Sequence, residues 1–124
     1  MGDDGLMTPE ENRSRALALF EEVVNAHDET AIARFTASPQ IEATLRQLLA
    51  GFPDLRFDVV WTVVEGDRVV AFLEMSGTHE GPWLMVQQPT HRPMNASILL
   101  ALQLDPGGMV IDSWLGTNLS LIHI

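Results

Sequence analysis

Several residue types are absent or scarce in this chain of 124 residues, and each absence excludes a kind of site. There is no cysteine, which excludes a disulfide and a thiolate nucleophile. There is no tyrosine, which excludes an oxyanion hole built on a phenol. Only 7 residues are basic against 17 acidic ones, a formal net charge of −10. We therefore expect neither nucleic acid nor an anionic membrane as a partner.

Long apolar runs and cofactor motifs are missing as well. No run approaches the length of a membrane span, and Met1-Gly2-Asp3-Asp4 is acidic where a signal peptide is basic, so we expect a cytoplasmic protein. Since there is no glycine-rich phosphate loop, no metal-ligand spacing and no Ser/His/Asp signature, no metal and no cofactor are predicted. The length suits one domain, and an apolar fraction of 46% suits a folded one.

The first part of the chain predicts a tail, residues 1–7, followed by three helices. Thr8-Pro9, with an acidic residue in the capping-box position, begins the first helix. Asp28 can cap a short second helix, and Ser38-Pro39 begins a third helix that Gly51 ends. The apolar residues of the first helix that recur at helical spacing, and are predicted to be buried, are Leu17, Phe20, Val23 and Val24.

From Leu55 onward the apolar spacing is typical of strands. Two β-branched runs flank the turn Gly66-Asp67, which predicts a hairpin because glycine supplies the positive φ of a tight turn. A third strand, Met94 to Leu104, and a fourth, Met109 to Leu115, follow. One face of the first strand is predicted to carry Phe57, Val59, Trp61 and Val63. One face of the second is predicted to carry Leu73, Met75, Gly77 and His79.

This order of elements predicts an α+β fold. Three helices pack on one face of a curved antiparallel four-stranded sheet, and a ligand cavity is expected between the two layers.

Three short segments also resemble one protein family. Phe52-Pro53-Asp54-Leu55-Arg56, Glu65-Gly66-Asp67-Arg68-Val69-Val70 and Ser76-Gly77-Thr78-His79-Glu80-Gly81 are similar, in order and spacing, to segments of the SnoaL-like polyketide cyclases. The resemblance covers about residues 8–118, a single domain. It implies the cone-shaped nuclear-transport-factor-two-like barrel and a small hydrophobic metabolite, apolar, carbonyl-bearing and polyketide-like, as the partner bound in a hydrophobic cavity.

The chain departs from this family in the last strand. The family's motif there is similar to His-Trp-Asp, whose aspartate acts as general acid and base. This chain has Ser113-Trp114-Leu115, so the histidine position holds Ser113 and the aspartate position holds Leu115. A leucine cannot transfer a proton, so the family's mechanism does not carry over. Asp112 is one residue out of phase and is predicted to lie on the opposite face of the strand.

The remaining candidate site residues are chosen by type and predicted face. His79 is a candidate catalytic base at the cavity rim, with the satisfaction of backbone groups as the alternative. Ser113 is a candidate catalytic residue that orients a carbonyl, because a serine without a base is a weak nucleophile. Core packing remains an alternative for the two tryptophans among the candidate ligand contacts. Asn95 either faces inward to a ligand or faces outward and borders a subunit interface. The candidate ligand contacts are Trp61, Met75, Trp83, Asn95 and Leu115.

Two functions remain open at this stage. One is a cyclase or isomerase acting on that metabolite without the family's acid/base pair, and the other is a non-catalytic binding or dimerisation module of the same fold. The apolar run Ile98 to Leu102 predicts that both faces of the sheet are covered, and hence a homodimer. Residues 119–124 have two interpretations, a non-native addition or a native apolar strand end.

Overall fold

The computed structural model describes residues 7–81 and 91–117. The predicted tail, apart from Met7, lies outside the described residues, as do Trp83 and residues 119–124. Helix α1 spans Pro9–Leu19 and continues into a π-helical segment, Phe20–Asn25. A 3-10 helix, Glu29–Arg34, and helix α2, Pro39–Gly51, follow. The three predicted helices are therefore confirmed, the first with its π-helical extension.

Local sequence signals explain where these helices begin. The hydroxyl of Thr8 accepts a hydrogen bond from the backbone N–H of Glu11, and the Glu11 carboxylate accepts one from the backbone N–H of Thr8. The hydroxyl of Ser38 caps α2 in the same way, accepting from the backbone N–H of Ile41. The prediction for Leu17 is wrong, because this residue is 36% exposed at the edge of the buried stripe. The buried stripe consists of Ala16, Leu19, Phe20, Val23 and Val24.

Four antiparallel strands form one sheet in the order β1-β2-β3-β4. They are β1, Arg56–Glu65; β2, Arg68–Thr78; β3, Pro93–Leu104; and β4, Val110–Thr117. The helices cover one face of this sheet, which is called the inner face below, and the hydrophobic core lies between the two layers. In the described ranges no helix is both long and apolar enough to cross a membrane.

A β-bulge interrupts the alternation of β1. Val59 and Trp61 pair with consecutive residues of β2, which leaves Val60 unpaired. One extra residue moves every later side chain to the other face. Phe57 is therefore buried on the inner face, whereas Trp61 is 46% exposed and stacks on Phe72 with 5.3 Å between the ring centroids. The prediction that Trp61 shares a face with Phe57 is wrong for this reason.

The outer face of the sheet carries two apolar rows that cross all four strands. The strand pairing places Val63, Val70, Ala101 and Trp114 in one row and Trp61, Phe72, Leu99 and Gly116 in the next. These eight residues are called the outer apolar patch. Polar rows flank it on both sides, one formed by Glu65, Arg68, Gln103 and Asp112 and the other by Asp58, Glu74 and Ser97. Both tryptophans of the patch are exposed to about half their surface.

A candidate ligand cavity between the helices and the sheet

A cavity of about 90 Å³ lies between the helices and the inner face of the sheet. Its helical wall is formed by Leu19, Phe20, Val24, Ile41, Thr44, Leu45 and Leu48. Its sheet wall is formed by Phe57, Met75, Ile98, Leu100, Leu102, Ser113 and Leu115. One water molecule needs only roughly 10–15 Å³ by the same kind of measure, so the cavity can hold several heavy atoms of a ligand.

The two walls follow from the two periodicities of the sequence. On α2, Ile41, Leu45 and Leu48 recur at three- and four-residue spacing and turn toward the sheet. On β3 and β4, alternate residues face the cavity, and the pairing of Leu102 with Ser113 places both on the inner face. The cavity is thus the space that the two apolar faces enclose without filling.

The cavity contains very little polar chemistry. Among the described residues that line it, none has a titratable side chain, and only Thr44 and Ser113 carry a hydrogen-bonding group. Asp112 is exposed on the outer face, where its carboxylate accepts a hydrogen bond from the backbone N–H of Ser113 at 2.9 Å. The predicted outward placement of Asp112 is therefore confirmed. A carboxylate on that face cannot exchange a proton with a ligand in the cavity.

Three of the sequence-predicted site residues lie in the cavity wall. Met75 is buried at its base, Ser113 is half-buried, and Leu115 is exposed at its open side. Leu115 thus lies in the cavity wall at the position where the resemblance places the family's aspartate. The roles proposed for these three residues remain predictions.

His79 is not at the cavity rim. It is completely buried, its ring lies 5.5 Å from the ring of Phe52 between centroids, and it is not among the described lining residues. Its backbone N–H donates to the carbonyl of Arg92, and its carbonyl accepts from the N–H of His91. The prediction of a base at the rim is wrong. His79 follows the last residue of β2 and packs against Phe52, in the segment that connects α2 to β1.

Two further candidates lie away from the cavity. Trp61 faces outward after the bulge, so its predicted ligand contact is wrong. Asn95 pairs with Ser76 and is exposed on the outer face, so it does not face the cavity; that it borders a subunit interface stays a prediction. Trp83 falls outside the described residues. The sequence analysis did not identify Thr44, although Thr44 follows Ile41 by three residues and precedes Leu48 by four, which is the spacing of one helix face.

The ionisable groups with displaced pKa values also lie outside the cavity. Hydrogen bonds from Thr78 lower the pKa of Asp54, and hydrogen bonds from Thr30 lower the pKa of Asp28. Hydrogen bonds to Glu42 and Glu29 raise the pKa of Arg46. These groups stabilise helix ends and connections. None of them is among the described residues of the cavity wall.

The comparisons with known proteins identify the family of this chain. The family model for SnoaL-like polyketide cyclases matches residues 10–119. A protein from Jannaschia sp. CCS1 assigned to the SnoaL-like polyketide cyclases is 26% identical, with a TM-score of 0.75 over 94% of this chain and 92% of that chain. A SnoaL-like polyketide cyclase from Agrobacterium tumefaciens is 16% identical, with a TM-score of 0.75 over 94% and 96% of the two chains.

A third solved structure is SalBIII, an epoxide hydrolase/cyclase-like enzyme with a role in pyran ring formation in the polyether salinomycin. It is 12% identical, with a TM-score of 0.73 over 98% of this chain and 97% of that chain. No curated protein matches this chain. The structural likeness confirms the nuclear-transport-factor-two-like α+β fold that the sequence predicts. Because the family model covers most of its length, the chain belongs to the SnoaL-like polyketide cyclase family.

Proposed function

We propose that the chain binds a small, apolar, carbonyl-bearing metabolite of polyketide type in the cavity and promotes its cyclisation or isomerisation. The cavity wall carries the proposal, because its described residues are apolar apart from Thr44 and Ser113 and none can exchange a proton near neutral pH. Rate acceleration must then come from holding the substrate in a reactive conformation, which can supply roughly several kcal/mol.

The sequence and the relatives support this proposal. Leu115 stands where the resemblance places the acid/base aspartate. Residues 82–90, which connect β2 to β3, contain no acidic, basic or histidine residue. The family's description as polyketide cyclases and the role of SalBIII in pyran ring formation both favour ring closure as the reaction type.

The test is the ring closure of a linear apolar diketone, such as nonane-2,8-dione, with and without saturating protein. We expect a faster reaction, and an acceleration that stays constant between about pH 5 and 9 because none of the described wall residues changes charge there. Leu100→Trp should block the cavity and abolish the acceleration. Asn95→Trp, on the opposite face of the same strand and outside the outer apolar patch, is the control and should keep it. An unchanged rate with the wild-type protein would refute catalysis. A bell-shaped dependence of the acceleration on pH would show that a group in the cavity exchanges protons with the substrate, which contradicts the proposal.

The alternative function is a non-catalytic binding module, and the same lack of titratable wall residues favours it. A bound diketone stabilises the folded protein by mass action, which a thermal shift measures. This alternative would be established if the diketone raised the melting temperature of the wild type but not that of Leu100→Trp, and did not react faster with either protein.

We propose further that the outer apolar patch forms a homodimer interface. Its two uninterrupted apolar rows are self-complementary, as a two-fold contact requires, and tryptophan is enriched at the centres of such contacts. A chain of net charge −10 offers little attraction to an acidic partner or membrane. A second copy is the occupant that an apolar, self-complementary face fits best.

Light scattering after size-exclusion chromatography tests the dimer. We expect a dimer of the 13.7 kDa chain for the wild type. Trp114→Glu should give a monomer, because it buries a charge in the apolar rows. Gln103→Glu adds the same charge in the flanking polar row and should leave the dimer intact. A monomeric wild type would exclude this interface.

A further inference from the structure

The only two hydrogen-bonding side chains among the described cavity residues, Thr44 and Ser113, lie on facing walls. Thr44 is on α2 and Ser113 on β4, and these two elements contact each other. Thr44 is exposed and Ser113 is half-buried, so both lie toward the open side of the cavity. The rest of the described wall is apolar and cannot compensate the lost hydration of a polar ligand group. Among the described side chains of the wall, these two hydroxyls are therefore the groups to which a bound ligand can hydrogen-bond.

The two hydroxyls differ in what they can offer to a ligand. Oγ1 of Thr44 donates to the backbone carbonyl of Gln40 at 3.0 Å, a bond to the residue four positions earlier in the helix. A hydroxyl has one proton and two lone pairs, so this bond leaves Thr44 only acceptor capacity toward the cavity. Within residues 7–81 and 91–117, Oγ of Ser113 has no hydrogen-bond partner. Its proton remains free to be donated.

From this asymmetry we infer that Thr44 is a specificity-determining residue that accepts a hydrogen bond from a hydroxyl of the ligand, while Ser113 donates to the ligand's carbonyl oxygen. The preferred ligand is then an apolar hydroxyketone, or an enol that presents the same donor and acceptor, rather than a simple ketone. This inference rests on the proposed function, since it concerns the same cavity, and it assigns the orientation in which the ligand enters. The hydrocarbon part points inward toward Phe20 and Met75, and the oxygens stay at the open side.

A set of matched probes tests the inference without knowledge of the natural substrate. The set comprises nonan-2-one, its 3-, 4- and 5-hydroxy derivatives, and the methyl ether of each derivative. Affinities are measured by calorimetry with the full chain. We expect the wild type to bind at least one hydroxyketone about fivefold more tightly than the corresponding ether, the effect of one net hydrogen bond. The ether keeps the oxygen but cannot donate, so it isolates the acceptor role of Thr44.

Three variants separate the two hydroxyls. Thr44→Val keeps the shape and should abolish the preference for the hydroxyketone over its ether, while Thr44→Ser should retain the preference. Ser113→Ala should weaken binding of every ketone by a similar factor and leave the hydroxyketone-to-ether ratio unchanged. Melting curves establish that each variant is folded.

The outcomes distinguish this inference from the proposed function. If the wild type binds none of the ketones, the proposed function fails and this inference fails with it. If ketones bind but no hydroxyketone is preferred, or if Thr44→Val keeps the preference, only the role of Thr44 is refuted.

Discussion

At the scale of single residues, Asp54 shows how one carboxylate joins the helical layer to the sheet. It follows α2, and its carboxylate accepts hydrogen bonds from the backbone N–H of Thr78 at 2.6 Å and from the Thr78 hydroxyl at 2.9 Å. These bonds favour the ionised form and lower the pKa of Asp54 from its usual value. The end of β2 is thereby fixed to the segment that enters β1.

Asp54→Asn should make stability less dependent on pH in the acid range. Because the pKa of Asp54 is lower in the folded state, its contribution is present above the unfolded pKa of about 3.9 and is lost as the pH falls through the folded pKa. Since the side chain is exposed, we expect the variant to lose about 1 kcal/mol or less at pH 7. The loss should shrink as the pH is lowered from 7 to about 2. Urea unfolding at both pH values measures this, with Glu65→Gln, another exposed carboxylate, as the control. An equal loss at both pH values would contradict the role of ionisation.

Two glycines of the described residues have positive φ but different surroundings. Gly66 has φ +59° and Gly108 has φ +84°. Apart from its chain neighbours, a Cβ at Gly66 would meet no atom of the described residues within 4 Å, whereas at Gly108 it would lie 2.8 Å from Sδ of Met7 and 3.1 Å from Nε of Arg15. That Nε donates a hydrogen bond to the carbonyl of Gly108 at 2.9 Å. The Arg15 side chain therefore cannot move away from a new Cβ without weakening this hydrogen bond.

Gly66→Ala should therefore cost only the left-handed backbone conformation, about 1–2 kcal/mol, and Gly108→Ala should cost clearly more. The free energy of unfolding of both variants, measured by urea titration, tests the order. Equal losses would mean that the contacts around Gly108 relax without cost.

At the scale of elements, the helices were predictable because their end signals are local. Thr8 and Ser38 cap the helices that the sequence predicts for them. The bulge of β1 was not predictable, because Val59, Val60 and Trp61 are all apolar and either alternation fits the pattern. Only the pairing with β2 selects between the two, and that pairing is a tertiary property.

Deleting Val60 should be tolerated, because it removes the residue that the bulge leaves unpaired. The pairings on either side of the bulge are then unchanged, so Trp61 and the residues after it keep their faces. Because Val60 is 53% exposed, we expect the deletion to cost only about 1 kcal/mol. Deleting Thr62, which pairs with Ala71, should cost about 3 kcal/mol or more, because it forces β1 to change either its register or the faces of its side chains. Thermal melts of both variants measure the difference, and comparable melting temperatures would show that the bulge does not determine which face Trp61 occupies.

At the scale of the whole molecule, the sequence predicted the cavity better than the site. Met75, Ser113 and Leu115 lie in its wall because the alternation of β2 and β4 is intact where they pair. His79 lies beyond the end of β2, where alternation no longer fixes the direction of a side chain. Thr44 could have been found from the apolar face of α2, but a hydroxyl on an exposed helix position gives no chemical signal of its own. To predict which residues line the cavity, one therefore needs to know how the helices pack on the sheet as well as the spacing of apolar residues along each element.

The charge of the whole molecule makes a prediction about the proposed dimer. Each copy carries a net charge of −10, so the two copies repel one another across an interface that is apolar. Salt shortens the range of this repulsion, from about 30 Å at 0.01 M to about 10 Å at 0.1 M, and leaves apolar burial unaffected. We therefore expect the dimer to become tighter as NaCl is raised from 20 to 300 mM, as measured by sedimentation equilibrium.

Trp114→Glu is the control for this prediction and should remain monomeric at both salt concentrations, because its added charge lies within the apolar rows. The opposite trend for the wild type, a dimer that weakens with salt, would mean that ion pairs of the flanking polar rows hold the two copies together. The outer apolar patch would then not be the source of the affinity. Since both trends are measured on the folded, unmodified chain, either result decides between the apolar rows and the polar rows as the basis of association.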